Sequence, residues 1–288
     1  GQLRPLTPTP RQSPQGQPVH GLPFFVRGSA HRRCYPWPMS RITTPSRSLS
    51  LVGFDADDTL WKSEDYYRAA EKHFQAIVGE YIDITNPQTA GHLLAVERRN
   101  LGIYGYGAKG MTLSMLEAAI EMTAGRISTA DISRILQLGH DTLRHPVELL
   151  DGVREAVAAI AADYPVVLIT KGDLFHQESK IERAGLHDVL PRIEVVSEKD
   201  PATYARVLAE FGVSAQDFVM IGNSLRSDAE PVLALGGWAV HMPYALTWAH
   251  EQEHGVDADH PRLRHVSQAA QWPQVVATIA ADIASGAC

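Results

Sequence analysis

Leu51-Val52-Gly53-Phe54 runs straight into Asp55-Ala56-Asp57-Asp58-Thr59-Leu60-Trp61, so an apolar stretch delivers three carboxylates to one point. In extended chain, side chains two apart face the same side, which lets Asp55 and Asp57 address one reaction centre at the carboxyl end of a strand. Such a pair can divide a displacement between them: one carboxylate attacks while the other moves a proton. Acids this close repel one another, so the cluster calls for a metal cation.

An Asp-rich stretch after a strand also serves as a turn or helix cap. What favours chemistry here is the company it keeps. Asp55-Ala56-Asp57-Asp58-Thr59-Leu60 resembles the first signature of the haloacid dehalogenase superfamily, D-x-D-x-T-L. Val166-Val167-Leu168-Ile169-Thr170-Lys171-Gly172 resembles the second, an apolar strand ending in Thr or Ser, and Lys199 in Ser197-Glu198-Lys199 resembles the third, a lone basic residue. Val219-Met220-Ile221-Gly222-Asn223-Ser224-Leu225-Arg226-Ser227-Asp228 resembles the fourth, a strand followed by acidic metal ligands. Four signatures in order across roughly residues 50–245 reinforce one another.

The resemblance implies a Mg²⁺-dependent phosphomonoester hydrolase acting on a small phosphorylated metabolite. Asp55 would be the nucleophile, forming an aspartyl-phosphate, and Asp57 the general acid and base. Thr170 and the backbone amide of Lys171 would bond the phosphoryl oxygens, while Lys199 would hold nucleophile and phosphate together. Asp55 and Asp228 would ligate Mg²⁺ through carboxylates and Asp57 through its carbonyl, a set of hard oxygens suited to that ion. An acid at Asp57 resembles the phosphatase branch, because a halide needs no proton to leave. One departure stands out: Asn223 occupies a position where the family often has an acid, which leaves Asp228 as the firmer ligand.

Several readings compete with this one. A phosphomutase would use the same residues, and a catalytically silent binding protein would keep the fold, although the intact set of Asp55, Asp57, Thr170, Lys199 and Asp228 speaks against silence. His250-Glu251-Gln252-Glu253-His254 matches the H-E-x-x-H zinc peptidase pattern, which requires a helix presenting both His on one face and a third ligand, with His260, His265, Asp257 and Asp259 nearby.

These residues need elements to position them. Short apolar runs at 51–54, 166–169, 193–196, 218–221 and 238–241 read as buried parallel strands, alternating with helical spacing at 151–163, 174–185, 201–211 and 227–235. That alternation predicts an α/β fold, a doubly wound parallel, Rossmann-like sheet whose site lies at the strands' carboxyl ends. Between Trp61 and about Pro146 the alternation stops, and helices are expected at 66–79, 89–101, 111–123 and 129–143. The position resembles the helical cap of C1-capped family members, giving a core of 50–62 and 147–288 with a cap of 63–146. Within it, Gly102-Ile103-Tyr104-Gly105-Tyr106-Gly107-Ala108-Lys109-Gly110 reads as a loop. It is either a substrate contact through Lys109 or a tyrosine, or a plain connection.

Composition sets the outer bounds. Of 288 residues, 44% are hydrophobic and 20% charged, as in ordinary globular chains, and no run of about 18 apolar residues suggests a membrane span. Residues 1–50 hold seven Arg, no acid and nine of the eighteen Pro, so they read as a disordered leader (1–49), with Met39 an alternative natural start. The remaining 238 residues carry −14 of the overall −7. That acidity argues against nucleic acid as a partner. Two cysteines, Cys34 and Cys288, lie outside the expected core, which suits a reducing, cytoplasmic setting.

Overall fold

The computed structural model describes residues 48–86, 89 and 91–286; the expected leader, Cys34 and Cys288 lie outside them. Six parallel strands form one sheet: β1 (Leu51–Phe54), β2 (Val166–Lys171), β3 (Ile193–Val196), β4 (Phe218–Gly222), β5 (Trp238–His241) and β6 (Leu263–His265), in the order β3-β2-β1-β4-β5-β6. Strand order reverses between β1 and β4, and in open α/β sheets a ligand crevice forms at that switch.

Period-two alternation sends neighbouring residues to opposite faces, and both faces are covered. Val52, Phe54, Leu168, Ile221 and Val240 pack on one side with residues of α5 (Val153–Asp163), α6 (Leu174–Ala184) and α9 (Trp272–Ser285). Leu51, Val167, Ile169, Phe218 and Met220 face the other side, against Tyr204, Val207 and Leu208 of α7 (Pro201–Phe211) and Val232 of α8 (Glu230–Ala234). Local chemistry starts these helices where it is needed. Asp173 and Asp200 cap α6 and α7 by accepting from His176 N and Thr203 N, and Pro201 opens α7.

Between β1 and β2 lie α1 (Glu64–Gly79), α2 (His92–Tyr104), α3 (Ala108–Met122) and α4 (Thr129–Arg144). They bury a separate apolar cluster that includes Phe74, Ile77, Leu93, Val96, Met115 and Ile135.

Three expectations need correction. The sheet has a sixth strand beyond 238–241; Leu263–His265 is three residues long with only Leu263 buried, too short to show a pattern. The helix expected at 227–235 is a π-helical turn (Leu225–Ala229) leading into α8, because Pro231 interrupts the hydrogen-bond ladder. The glycine-rich loop over 102–110 is only Gly105–Gly107: α2 runs to Tyr104 and α3 begins at Ala108. Among the described residues, no helix is long and apolar enough to cross a membrane.

Candidate active site

Asp55 follows β1 directly and continues its ladder, donating its N–H to Ile221 O on β4. Its carboxylate is held at both oxygens: Thr59 Oγ1 donates to Oδ2 at 2.8 Å, and Lys199 Nζ donates to Oδ1 at 2.5 Å. The same ammonium donates to Asp228 Oδ1 at 2.7 Å. All three side chains are buried. Burial alone would lower the Lys199 pKa, yet the two carboxylates override it and keep the pKa above the ordinary value. Asp228 shifts upward through burial and the neighbouring Asp55 charge, with Lys199 opposing.

Asp228 reaches this point because the strand ahead of it lacks a side chain. A Cβ on Gly222 would stand 2.2 Å from Asp228 Oδ2. That oxygen instead accepts from Ser224 N at 3.0 Å. Asn223 faces Thr59: its backbone N–H donates to Thr59 Oγ1 at 3.0 Å, while its Oδ1 lies 3.3 Å from the same hydroxyl.

Asp57 occupies a different set of contacts. Its Oδ1 accepts from Trp61 Nε1 at 2.7 Å and Lys180 Nζ at 2.5 Å, and its Oδ2 accepts from Gln177 Nε2 at 3.0 Å. Burial works to raise its pKa, but the Lys180 ammonium and these bonds override burial and hold it at about 2. Gln177 Nε2 also donates to Thr170 Oγ1 at 3.0 Å and to Lys171 O at 2.6 Å, so one amide ties β2's end to Asp57. Asp58, in the left-handed region at φ 62°, accepts from Ser63 N and Glu64 N and so caps the start of α1.

Glu251, the acid of the H-E-x-x-H pattern, enters the same site in another role. Only a 3₁₀ turn (Ala249–Glu251) forms there, so no helix presents His250 and His254 on one face. Glu251 instead bonds Lys171 Nζ at 2.7 Å and accepts from Ser224 Oγ and Ser227 Oγ at 2.5 and 2.6 Å. Burial would raise its pKa, yet Lys171 and the two hydroxyls hold it at about 2. Lys171 Nζ also stands 4.0 Å from the Tyr106 ring centroid.

A cavity of about 210 Å³ opens over these groups, and both the sheet ends and the helical insertion line it. Asp55, Asp57, Thr170, Lys171, Lys199, Asn223 and Asp228 all line it. Lys109 does not: it sits in the first turn of α3 and pairs with Asp173 at 2.8 Å. The whole Gly105–Gly107 loop lines the cavity, and the hydroxyl of Tyr106 donates to Glu198 at 2.6 Å. Sequence reasoning missed Gln177 and Lys180, and singled out Glu251 only as part of the H-E-x-x-H pattern. Gln177 and Lys180 are three apart on α6 and share a helix face, a pattern that could have been read once 174–185 was taken as a helix.

A family model of haloacid dehalogenase-like hydrolases matches residues 49–236. The chain belongs to that family. A haloacid dehalogenase-like hydrolase from Xanthomonas campestris is 62% identical, with a TM-score of 0.76 over 83% of this chain and 99% of that one. Lower similarity links it to a 2-haloacid dehalogenase from Pseudomonas syringae pv. Tomato (21% identity, TM-score 0.54, 80% and 99% covered). A putative HAD-hydrolase from Bacillus subtilis bound to magnesium gives 14% identity, TM-score 0.57, and 80% and 99% coverage. A predicted phosphoglycolate phosphatase and a putative β-phosphoglucomutase also share the fold. No curated protein matches the chain.

The haloacid dehalogenase-like site also fits a small divalent cation. Asp55 and Asp228 converge on one ammonium, and the absent side chain at Gly222 leaves room for the second carboxylate. The available donors are hard oxygens, as Mg²⁺ requires. Among the described residues, no three His, Cys, Asp or Glu side chains gather as a metal site. A cation here would therefore rest on two carboxylates, with neutral oxygens and water completing its shell. Asp57's carboxylate is committed to Lys180, which leaves only its carbonyl for that purpose.

Proposed function

We propose that this hydrolase cleaves small phosphate monoesters through an aspartyl-phosphate on Asp55, with Mg²⁺ as cofactor. The observation that carries the reading is the acid at Asp57, lining the same cavity as Asp55 and held by a buried cation. Displacement of halide has no use for such a group. Asp55 and Asp228 would hold the ion, which when bound neutralises phosphoryl oxygens and lets an anionic nucleophile approach.

The chain's own residues account for the rest. Thr59 and Lys199 fix Asp55 so that a carboxylate oxygen faces the phosphorus. Lys199 offsets negative charge that would otherwise build up between nucleophile and phosphate. Thr170 and the Lys171 amide bond the phosphoryl oxygens. Asp57 is ionised at neutral pH, so the leaving oxygen takes its proton from the Lys180 ammonium by way of Asp57. Water then attacks the phosphorus while its proton passes through Asp57 back to Lys180, and the bond between phosphorus and the Asp55 oxygen breaks, releasing phosphate and restoring the Lys180 ammonium and the Asp55 carboxylate.

The test is release of p-nitrophenol from p-nitrophenyl phosphate by wild type and Asp55→Asn, with Mg²⁺ and with EDTA. Turnover should require Mg²⁺ and fall by at least about 1,000-fold in Asp55→Asn. Equal turnover by both proteins would remove Asp55 from the mechanism.

A further inference from the structure

The catalytic end of the cavity has three lysines, each already matched: Lys199 to Asp55 and Asp228, Lys180 to Asp57, and Lys171 to Glu251. What the helical insertion adds is of one sign. Glu64 and Glu71 from α1 and Glu97 from α2 line the cavity, and the insertion contributes no Lys or Arg to its lining. Arg68 pairs with Glu64 at 2.8 Å and lies 3.8 Å from Glu71, so one cation serves two carboxylates. Glu97 has no ion pair among the described residues. Burial, then Glu71 and Glu64, raise its pKa to about 7, while the Trp248 side chain and the Arg68 charge act to lower it.

A further observation points the same way. Aromatic faces of Tyr67, Tyr106 and Trp248 complete the wall, and the Tyr106 ring already holds one ammonium, that of Lys171. Carboxylates beside aromatic faces recognise organic ammonium groups.

We propose that the phosphate ester taken by this cavity has a leaving group bearing a protonated amine, bound by Glu97 with Glu64 and Glu71 against the rings of Trp248 and Tyr67. The inference rests on the phosphatase reading for the phosphate half of the ligand. It excludes leaving groups with a carboxylate or a second phosphate, which would meet three acids and no free cation.

The experiment measures calorimetric affinity of the Asp55→Asn protein, loaded with Mg²⁺, for 2-aminoethyl phosphate, ethyl phosphate and phosphoglycolate, with and without Glu97→Gln. The amine ester should bind at least tenfold more tightly than either competitor, and Glu97→Gln should cut that ratio below threefold. Removing one of three mutually repelling carboxylates should also leave the ligand-free melting temperature unchanged or higher, which separates lost recognition from lost folding. An equal or reversed preference, or a preference that Glu97→Gln leaves intact, overturns the proposal. Turnover of the panel by wild type reports separately on the phosphatase reading. Amine preference without turnover of any ester would sink that reading and keep this one, and rapid turnover of phosphoglycolate alone would do the reverse.

Discussion

With Lys180 Nζ 2.5 Å from its Oδ1, Asp57 stays ionised far below the pH at which a free aspartate takes up a proton. A depressed carboxylate pKa adds stability above the unfolded value of about 3.9 and loses it as pH falls toward about 2. Lys180→Met leaves burial opposed only by the Trp61 and Gln177 bonds, so the Asp57 pKa should rise. The acid limb of the kcat/KM profile should move up with it. Losing one partner of a buried pair should also cost about 3 kcal/mol at neutral pH, read from denaturant midpoints. Lys180→Arg should recover part of both losses. A pH profile unmoved in Lys180→Met would remove Lys180 from proton transfer. Gly222 makes a second test at this scale. In Gly222→Ala the added methyl group competes with Asp228 Oδ2, so Mg²⁺ affinity should fall roughly 10- to 100-fold with the fold intact. Titration calorimetry checks this directly.

At the scale of elements, the helical insertion depends on close packing between α3 and α4. A Cβ at Gly139 would lie 2.1 Å from Thr112 Oγ1, itself buried and committed to Ala108 O. Gly139→Ala should therefore destabilise the protein by about 1–3 kcal/mol through overpacking, whereas the gain in helix propensity alone would predict the opposite sign. Thermal unfolding decides between them. The α2–α3 connection shows why glycine density misled the sequence reading. Gly102 and Gly110 sit inside helices because nothing local forbids it, and only Gly105 and Gly107 take positive φ.

At the scale of the whole molecule, the insertion meets the sheet ends through polar contacts: Lys109 with Asp173, Tyr106 with Glu198, and Arg68 with Thr247 O. These are mostly exposed, and exposed ion pairs contribute little. Lys109→Ala should change stability by less than about 1 kcal/mol and KM for p-nitrophenyl phosphate by less than about threefold. A tenfold rise in KM would return Lys109 to the substrate site.

Sequence by itself determined the parallel sheet and five of its strands, because buried strands must be apolar and four helices without alternation must lie outside the sheet. It also placed Asp55 and Thr170 at strand ends and Lys199 and Asp228 in the segments that follow β3 and β4, since each signature is local: a run of apolar residues and what comes shortly after it. Tertiary structure alone decided which charges meet. The Lys180–Asp57 contact spans 123 residues and Glu251 reaches Lys171 across 80, and no local pattern encodes such pairings. The sixth strand, three residues long, is likewise a product of its neighbour β5 rather than of its own sequence. Electrostatic partners depend on distance through space, which a folded chain sets and a linear one leaves open.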